Sequence, residues 1–226
     1  MSAISREFGD GPLSRAAALV YTLLVVEVLV LVAALPGLVP LFLLEADASN
    51  IPLAALCGLP FGPAFSAALY TVHHRRLSLT DLRPAAAFWA GYRRNVWAVT
   101  RVWAPWLVWM AIIGVNLAHF RAAGVPGWWA VLLIVVAVAA TLWAANALVI
   151  TSLFAFRTGD VARLAAYFLV RARGVALGNA GLLAAAVAVA AVSSEAVVAL
   201  LASGLAFALL WTSRPVVLAI QREFTA

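Results

Sequence analysis

The sequence predicts an all-α membrane protein, in which one domain, 1–226, forms a bundle of six transmembrane helices with two further helices on the cytoplasmic surface. Of its 226 residues, 66% are hydrophobic and 11% are charged, whereas soluble domains carry about 25% charged and roughly 45–50% apolar residues. A soluble chain of this size cannot cover so much apolar surface, so lipid must be the solvent for much of it. Long apolar segments also alternate with short polar ones that hold nearly all the arginines.

Six apolar segments are long enough, or nearly so, to meet the ~20 residues that cross a bilayer as a helix. The first exceeds the about 7–15 residues of a signal-peptide core, so we expect it to be retained as a span. Pro36, Gly37 and Pro40 predict that this span kinks or ends near its far side. The predicted spans are 16–44, 52–72, 96–118, 128–156, 175–192 and 196–212.

The arginines predict how these spans thread the membrane. An even number of spans places both termini on one side, and that side then holds fourteen of the fifteen basic residues, all of them arginine. Only Arg121 falls on the other side, together with Glu45, Asp47 and Glu195. Because positive residues stay inside in short loops, we expect a bacterial cytoplasmic membrane protein with both termini cytoplasmic. The net charge of +6 flanks the apolar segments, so it reflects topology and predicts no nucleic-acid partner.

Two basic segments between spans, 81–94 and 160–173, are predicted to be helices on the inner membrane surface. Aromatic and apolar side chains recur in both at helical spacing. Aromatic rings beside arginines suit the headgroup region, so the partner that we expect for both segments is the lipid bilayer or a docked protein. The candidate membrane-surface or docking residues are Phe88, Trp89, Tyr92, Arg93, Arg94, Tyr167, Phe168, Arg171 and Arg173.

The same two segments align without gaps at an offset of 79 residues. Asp81 then meets Asp160, the pair 88–89 meets 167–168, and Arg94 meets Arg173. A true repeat would give the unit span, surface helix, span twice, in the same orientation. The alternative is a chance match in an alanine-rich chain with the usual composition of cytoplasmic loops.

Glu27 is a carboxylate eleven residues into the first predicted span. Such a group is costly in lipid and often functional, which favours proton coupling or cation binding as one interpretation. The other is a hydrogen-bonded glutamate that faces the bundle, with Asn146, Asn179 or Thr141 as its partner. Both interpretations predict that the side chain faces protein.

Tryptophans in the third predicted span lie deeper than the usual interfacial belt. Trp103 and Trp106 share a helical face, and Trp109 follows them. They are candidates for stacking on a sugar or a lipid, with packing between helices as the alternative. Together with the polar residues above, the candidate intramembrane site comprises Glu27, Trp103, Trp106, Asn146 and Asn179.

No sequence motif predicts catalysis, a cofactor or a metal site. The chain has no phosphate-binding loop, no HExxH and no GxSxG. Its one cysteine, Cys57, has no second cysteine with which to pair. His73 and His74 are adjacent, so they point apart on a helix and have no set of further ligands nearby. We therefore expect a protein that is not an enzyme.

Two stretches between Leu59 and Trp106 resemble a known family. LPFGPAFSAALYTVHHRR and RRNVWAVTRVWAPW are similar to landmarks of the YesL-like bacterial membrane proteins, although Pro63-Ala64 stands where that family often has Pro-Thr or Pro-Val. The resemblance implies five to six spans and an accessory role beside the permease of an ABC-type carbohydrate importer, and it transfers no active site. The alternative function is an independent transporter of a small solute, with Glu27 and the tryptophans along its path.

Overall fold

A computed structural model describes residues 12–45, 47–74, 83–120, 122–193, 197–198 and 200–224. This part of the chain is helical and contains no strand. A 3₁₀ turn, Ala48–Asn50, precedes the second helix. The α-helices used below are α1 Pro12–Leu43, α2 Ile51–Cys57, α3 Phe61–His73, α4 Pro84–Ala118, α5 Trp128–Leu153, α6 Thr158–Arg171, α7 Arg173–Val192 and α8 Ala202–Glu223.

Five of these helices, α1, α4, α5, α7 and α8, are long and apolar enough to cross a membrane. The shorter α2 and α3 are long and apolar enough only when they are taken together, and the two helices meet at a bend of 41°. The described part of the chain therefore holds five helices that could cross a membrane, or six if the bent pair counts as one. The expectation of an all-α protein with several helices long and apolar enough to span a membrane is confirmed.

The first surface segment is not a separate helix in the structure. Residues 84–94 form the first turns of α4, which runs unbroken for 35 residues to Ala118, whereas the sequence predicted a surface helix that ends before a span at 96–118. No helix breaker stands between these two stretches, so the hydrogen-bonded ladder continues. At about 1.5 Å per residue α4 is roughly 50 Å long, well beyond the ~30 Å hydrocarbon core. Asp81 and Leu82 lie outside the described residues.

The last helix begins and ends later than the sequence predicted. The span was expected at 196–212, but α8 covers Ala202–Glu223 and includes Arg214, Pro215 and Arg222. An arginine ends an apolar run without ending a helix, which explains why α8 ends later than predicted. Similarly, Pro36 and Pro40 do not end α1, which continues to Leu43.

The centre of the bundle is the short helix α3, which packs against α1, α4, α5 and α8. Ala64, Ala67 and Ala68 are fully buried there. Their small side chains let the neighbouring helices approach closely, and α1 contributes Val26 and Val30 to the same core. This helix fixes the positions of the residues around the cavity described below.

The second surface segment forms a separate helix, α6, whose apolar face is covered by the chain itself. Val161, Ala165 and Phe168 are buried in a cluster with residues of α4, α5, α7 and α8. The indole Nε1–H of Trp143 on α5 also donates to the carbonyl of Ala162, at 3.0 Å. The side of α6 that the sequence assigned to lipid or a partner is thus packed on the bundle.

The acidic loop between α1 and α2 is ordered by Asp47. Its Oδ1 accepts hydrogen bonds from the hydroxyl and the backbone N–H of Ser49, at 2.5 and 2.8 Å. These bonds, led by the one from the hydroxyl, hold the pKa of the Asp47 carboxyl below its usual value. Asp47 therefore caps the 3₁₀ turn Ala48–Asn50, and its carboxylate keeps its negative charge.

Candidate functional site

A cavity of about 260 Å³ lies where six helices meet. Its walls come from α1, α3, α4, α5, α7 and α8. Most of the lining is apolar, and the polar groups in it belong to Trp103, Trp106, Thr141 and Asn179. A cavity of about 150 Å³ can hold benzene, so this one is large enough for a small organic molecule.

The two tryptophans of the cavity differ in how their N–H groups are used. Their rings lie 4.3 Å apart, centroid to centroid. Trp103 Nε1–H donates to the carbonyl of Gly58, in the bend between α2 and α3, at 2.9 Å. Trp106 Nε1 is buried and has no hydrogen-bond partner among the described residues. A buried donor without a partner costs about 1–3 kcal/mol, and this one belongs to a residue that lines the cavity. Trp109 is 49% exposed and lines no part of this cavity.

Room for the Trp103 ring comes from Gly62 on α3. A Cβ atom at that position would lie 2.5 Å from Cγ of Trp103. The ring thus packs directly on the α3 backbone, and its N–H reaches the bend one turn away. This contact joins α4 to both halves of the bent helix pair.

A chain of polar side chains supports the α7 wall. Asn179 Nδ2 donates to Asn146 Oδ1 at 3.3 Å, and the Thr212 hydroxyl donates to Asn179 Oδ1 at 2.6 Å. Asn179 lines the cavity, whereas Asn146 and Thr212 stand behind it. Asn146 and Asn179 were predicted from the sequence; Thr212 was not, because it stood at the predicted end of the sixth span.

Glu27 has a different partner from the three that the sequence suggested. Its Oε2 accepts a hydrogen bond from the backbone N–H of Ser203, at 2.7 Å, and it has no bond to Asn146, Asn179 or Thr141. Its Oε1 is buried and unpartnered among the described residues. The side chain faces protein, as expected, but it is not part of the cavity wall.

The predicted docking residues divide into buried and exposed sets. Phe88 is fully buried and Phe168 nearly so, because each packs inside the bundle. Neither ring can therefore contact lipid or a partner, which corrects the sequence prediction for both. Tyr92 is half-buried. The exposed members of the predicted set are Trp89, Arg93, Arg94, Tyr167, Arg171 and Arg173.

This division also disagrees with the 79-residue alignment. The alignment pairs buried Phe88 with exposed Tyr167, and exposed Trp89 with buried Phe168. In addition, α4 is one continuous helix, whereas the helix is interrupted at Ala172 between α6 and α7. The aligned positions are not structurally equivalent, so the proposed repeat has no support in this register.

One exposed feature of α4 was missed from the sequence. Trp89, Arg93, Trp97 and Arg101 are all exposed and recur at intervals of four residues, which places them along one side of the helix. We call them the Trp–Arg ridge. Trp97 is 75% exposed, the highest value for any described tryptophan. The spacing was visible in the sequence, but the residues fell in two elements that were predicted separately.

No three His, Cys, Asp or Glu side chains are grouped to hold a metal ion, as far as the described residues extend.

Comparisons with protein-family models, with curated proteins and with solved structures found no match. What the chain does is therefore argued from its own geometry.

Proposed function

We propose that the chain is a non-enzymatic accessory subunit of a carbohydrate ABC importer, with six spans in the bacterial cytoplasmic membrane and both termini cytoplasmic. The observation that carries this proposal is the Trp–Arg ridge at the start of α4. It is an exposed row of residues on a helix that is too long for the hydrocarbon core. The resemblance of residues 59–106 to the YesL-like family supplies the class of partner.

The six-span topology draws support from the bend between α2 and α3. A bend of 41° leaves the two helices running in the same general direction, as one broken span does, whereas a re-entrant loop must turn back. Six spans then collect fourteen of the fifteen arginines on one side, as the positive-inside rule requires.

The ridge has the composition of a docking surface. Tryptophan and arginine are the residue types most often found at interface hot spots. The ridge spans twelve residues, or about 18 Å of helix, and Trp97 in particular is left uncovered by the rest of the described chain. Arg93, Trp97 and Arg101 also belong to the second stretch that resembles the family. A permease helix lying along this ridge would cover both tryptophans at once.

The cavity also weighs against a direct role in moving sugars. Its walls are largely apolar, and a sugar needs a hydrogen bond for nearly every hydroxyl that it takes out of water. An accessory subunit that binds its partner through outer helix faces needs no such path. The cavity itself favours a second candidate, an independent transporter of a small and mainly apolar solute.

Co-purification with the permease tests the accessory role. The tagged full chain and the permease subunits of a carbohydrate ABC importer would be co-expressed and solubilised in mild detergent. We expect wild type to retain the permease and Trp97→Ala to lose at least about tenfold of it, since hot-spot truncations cost about 2 kcal/mol or more. Trp128→Ala is the matched control, because Trp128 is also exposed but lies on α5. Equal retention by the two variants, or none by wild type, would reject the accessory role.

A reconstituted chain separates the two candidates. Proteoliposomes that contain only this protein should take up no labelled sugar if it is an accessory subunit. Uptake of an aromatic or aliphatic solute that Trp106→Phe slows would instead favour the transporter, because this variant keeps the ring and removes the unpaired N–H.

A further inference from the structure

A second, larger space of about 390 Å³ lies between the end of α3 and one side of α8. Its α8 wall runs from Phe207 to Gln221 at helical intervals, about 21 Å of helix. We call this space the α3–α8 groove. Its character changes along its length. One part is apolar, and the other is mixed and includes residues of α3. The apolar part is lined by Phe207, Leu210 and Trp211, and the mixed part by Arg214, Val217, Leu218, Gln221, Val72 and His73.

Arg214 is the charged group at the centre of this groove. It is exposed, and within the described residues it makes no hydrogen bond or ion pair. None of the described residues that line the groove is acidic. Because an arginine side chain stays protonated in proteins, the groove carries a permanent positive charge. This charge favours the binding of an anion.

The apolar part of the groove specifies what kind of anion fits. Phe207, Leu210 and Trp211 occupy the turns of α8 on the N-terminal side of Arg214, within the most apolar part of that helix. Trp211 is 67% exposed, and its ring, one helical turn from Arg214, suits the boundary between acyl chains and headgroups. A free anion would leave this apolar surface uncovered. A phospholipid would cover it with an acyl chain while its phosphate reaches Arg214.

We propose that the α3–α8 groove is a binding site for an anionic phospholipid. Arg214 binds the phosphate and the negative headgroup, and one acyl chain lies along Phe207 and Leu210. The inference needs only that α8 is a membrane helix, so it is independent of the accessory role proposed above.

Native mass spectrometry of the purified full chain tests the site. The protein would be delipidated in mild detergent and offered equal amounts of phosphatidylglycerol and phosphatidylcholine with identical acyl chains. We expect wild type to retain phosphatidylglycerol preferentially. Arg214→Gln should reduce this retention about fivefold, the contribution of one arginine near a membrane surface. Arg222→Gln is the control: it removes the same charge from the same helix, outside the groove, and should leave retention within about twofold.

Two further measurements address the apolar part and the source of the phosphate. Leu210→Trp fills the groove and should lower the retention of both lipids, and it also serves as the test if Arg214→Gln does not fold by circular dichroism and gel filtration. Millimolar inorganic phosphate should not displace the lipid, because it has no acyl chain. Equal retention of the two lipids by wild type, equal loss in the two arginine variants, or displacement by phosphate alone would each overturn the proposal.

Discussion

The carboxylate of Glu27, in the middle of α1, caps the N-terminus of α8 by accepting a hydrogen bond from the backbone N–H of Ser203. The two atoms are 2.7 Å apart and 176 residues separate them in sequence. The residue that precedes α8, Leu201, has no side-chain acceptor, so α8 lacks a local cap. A negative group at a helix N-terminus also suits the helix dipole. The contact therefore gives Glu27 a structural role that joins the first and last helices, and it favours the hydrogen-bonded interpretation over proton coupling.

Glu27→Ala is expected to lower the free energy of unfolding by about 1–2 kcal/mol, because it removes both the acceptor and the charge from the α8 terminus. Glu27→Gln should cost less, since its amide oxygen still accepts the bond. Unfolding in mixed detergent micelles, followed by far-UV circular dichroism, measures both. Glu45→Ala is the control, because that carboxylate lies in the loop after α1. A glutamine variant as unstable as the alanine one would mean that charge, not the hydrogen bond, dominates.

Thr212→Val is expected to cost about 0.6–1.7 kcal/mol, the range of hydrogen bonds between membrane helices. Valine keeps the shape of threonine but leaves Asn179 Oδ1 without its donor. Thr100→Val is the matched control, because the Thr100 hydroxyl bonds only to the carbonyl of Val96 in its own helix. A double-mutant cycle with Asn179→Ala isolates the pair: the double variant should lose less than the sum of the two single variants. Additive losses would show that the two side chains are not coupled.

Gly37→Ala is expected to destabilise the fold by at least about 1–3 kcal/mol, as overpacking does. A Cβ atom there would lie 2.0 Å from the carbonyl oxygen of Cys57, and this oxygen is backbone, so α1 and α2 must move apart. Gly174→Ala is the control, because a Cβ atom at that position would meet nothing within 4 Å. Thermal unfolding in detergent compares the two, and an unchanged midpoint for Gly37→Ala would contradict this packing.

Composition and periodicity were sufficient to predict the helices and the lipid environment, because both depend on local sequence. Side-chain partners were harder. Phe88 and Trp89 are adjacent aromatics, and their side chains point about 100° apart around the helix. Which of them is buried depends on how α1 and α3 pack on α4, and this packing cannot be inferred from the local sequence. Similarly, Glu27 could not be matched to Ser203 from the sequence, because almost any residue type can supply a backbone N–H at a helix terminus.

Part of the candidate intramembrane site could be predicted all the same. Trp103 and Trp106 lie three residues apart, so a helix places them on one face, and they do line one cavity with Asn179. The continuity of α4 was missed because charge and apolarity change at Arg93 and Arg94, and such a change marks a membrane boundary without ending a helix.

Reporter fusions are expected to give an alternating pattern that fits six spans. A fusion at residue 48 or near Gly124 should report an external position, and one at Asp160 an internal position. The physical basis is the concentration of arginines on one side. Ser194, which lies outside the described residues, should also report an external position. An internal result there, with Asp160 also internal, would mean that α7 does not cross the membrane, and the six-span topology would be wrong.

Cysteine labelling along 84–101 is expected to follow the Trp–Arg ridge. In a Cys57→Ala background, single cysteines at positions 93 and 97 should react with a charged maleimide, and one at position 88 should not, because Phe88 is fully buried. Reactivity should recur about every four residues along the helix, with Val99→Cys as a second protected position because Val99 is also fully buried. Uniform labelling would contradict a packed helix. Protection of positions 93 and 97 that appears only when the permease is co-expressed would identify the ridge as the docking surface, because lipid is present in both membranes and only the partner differs.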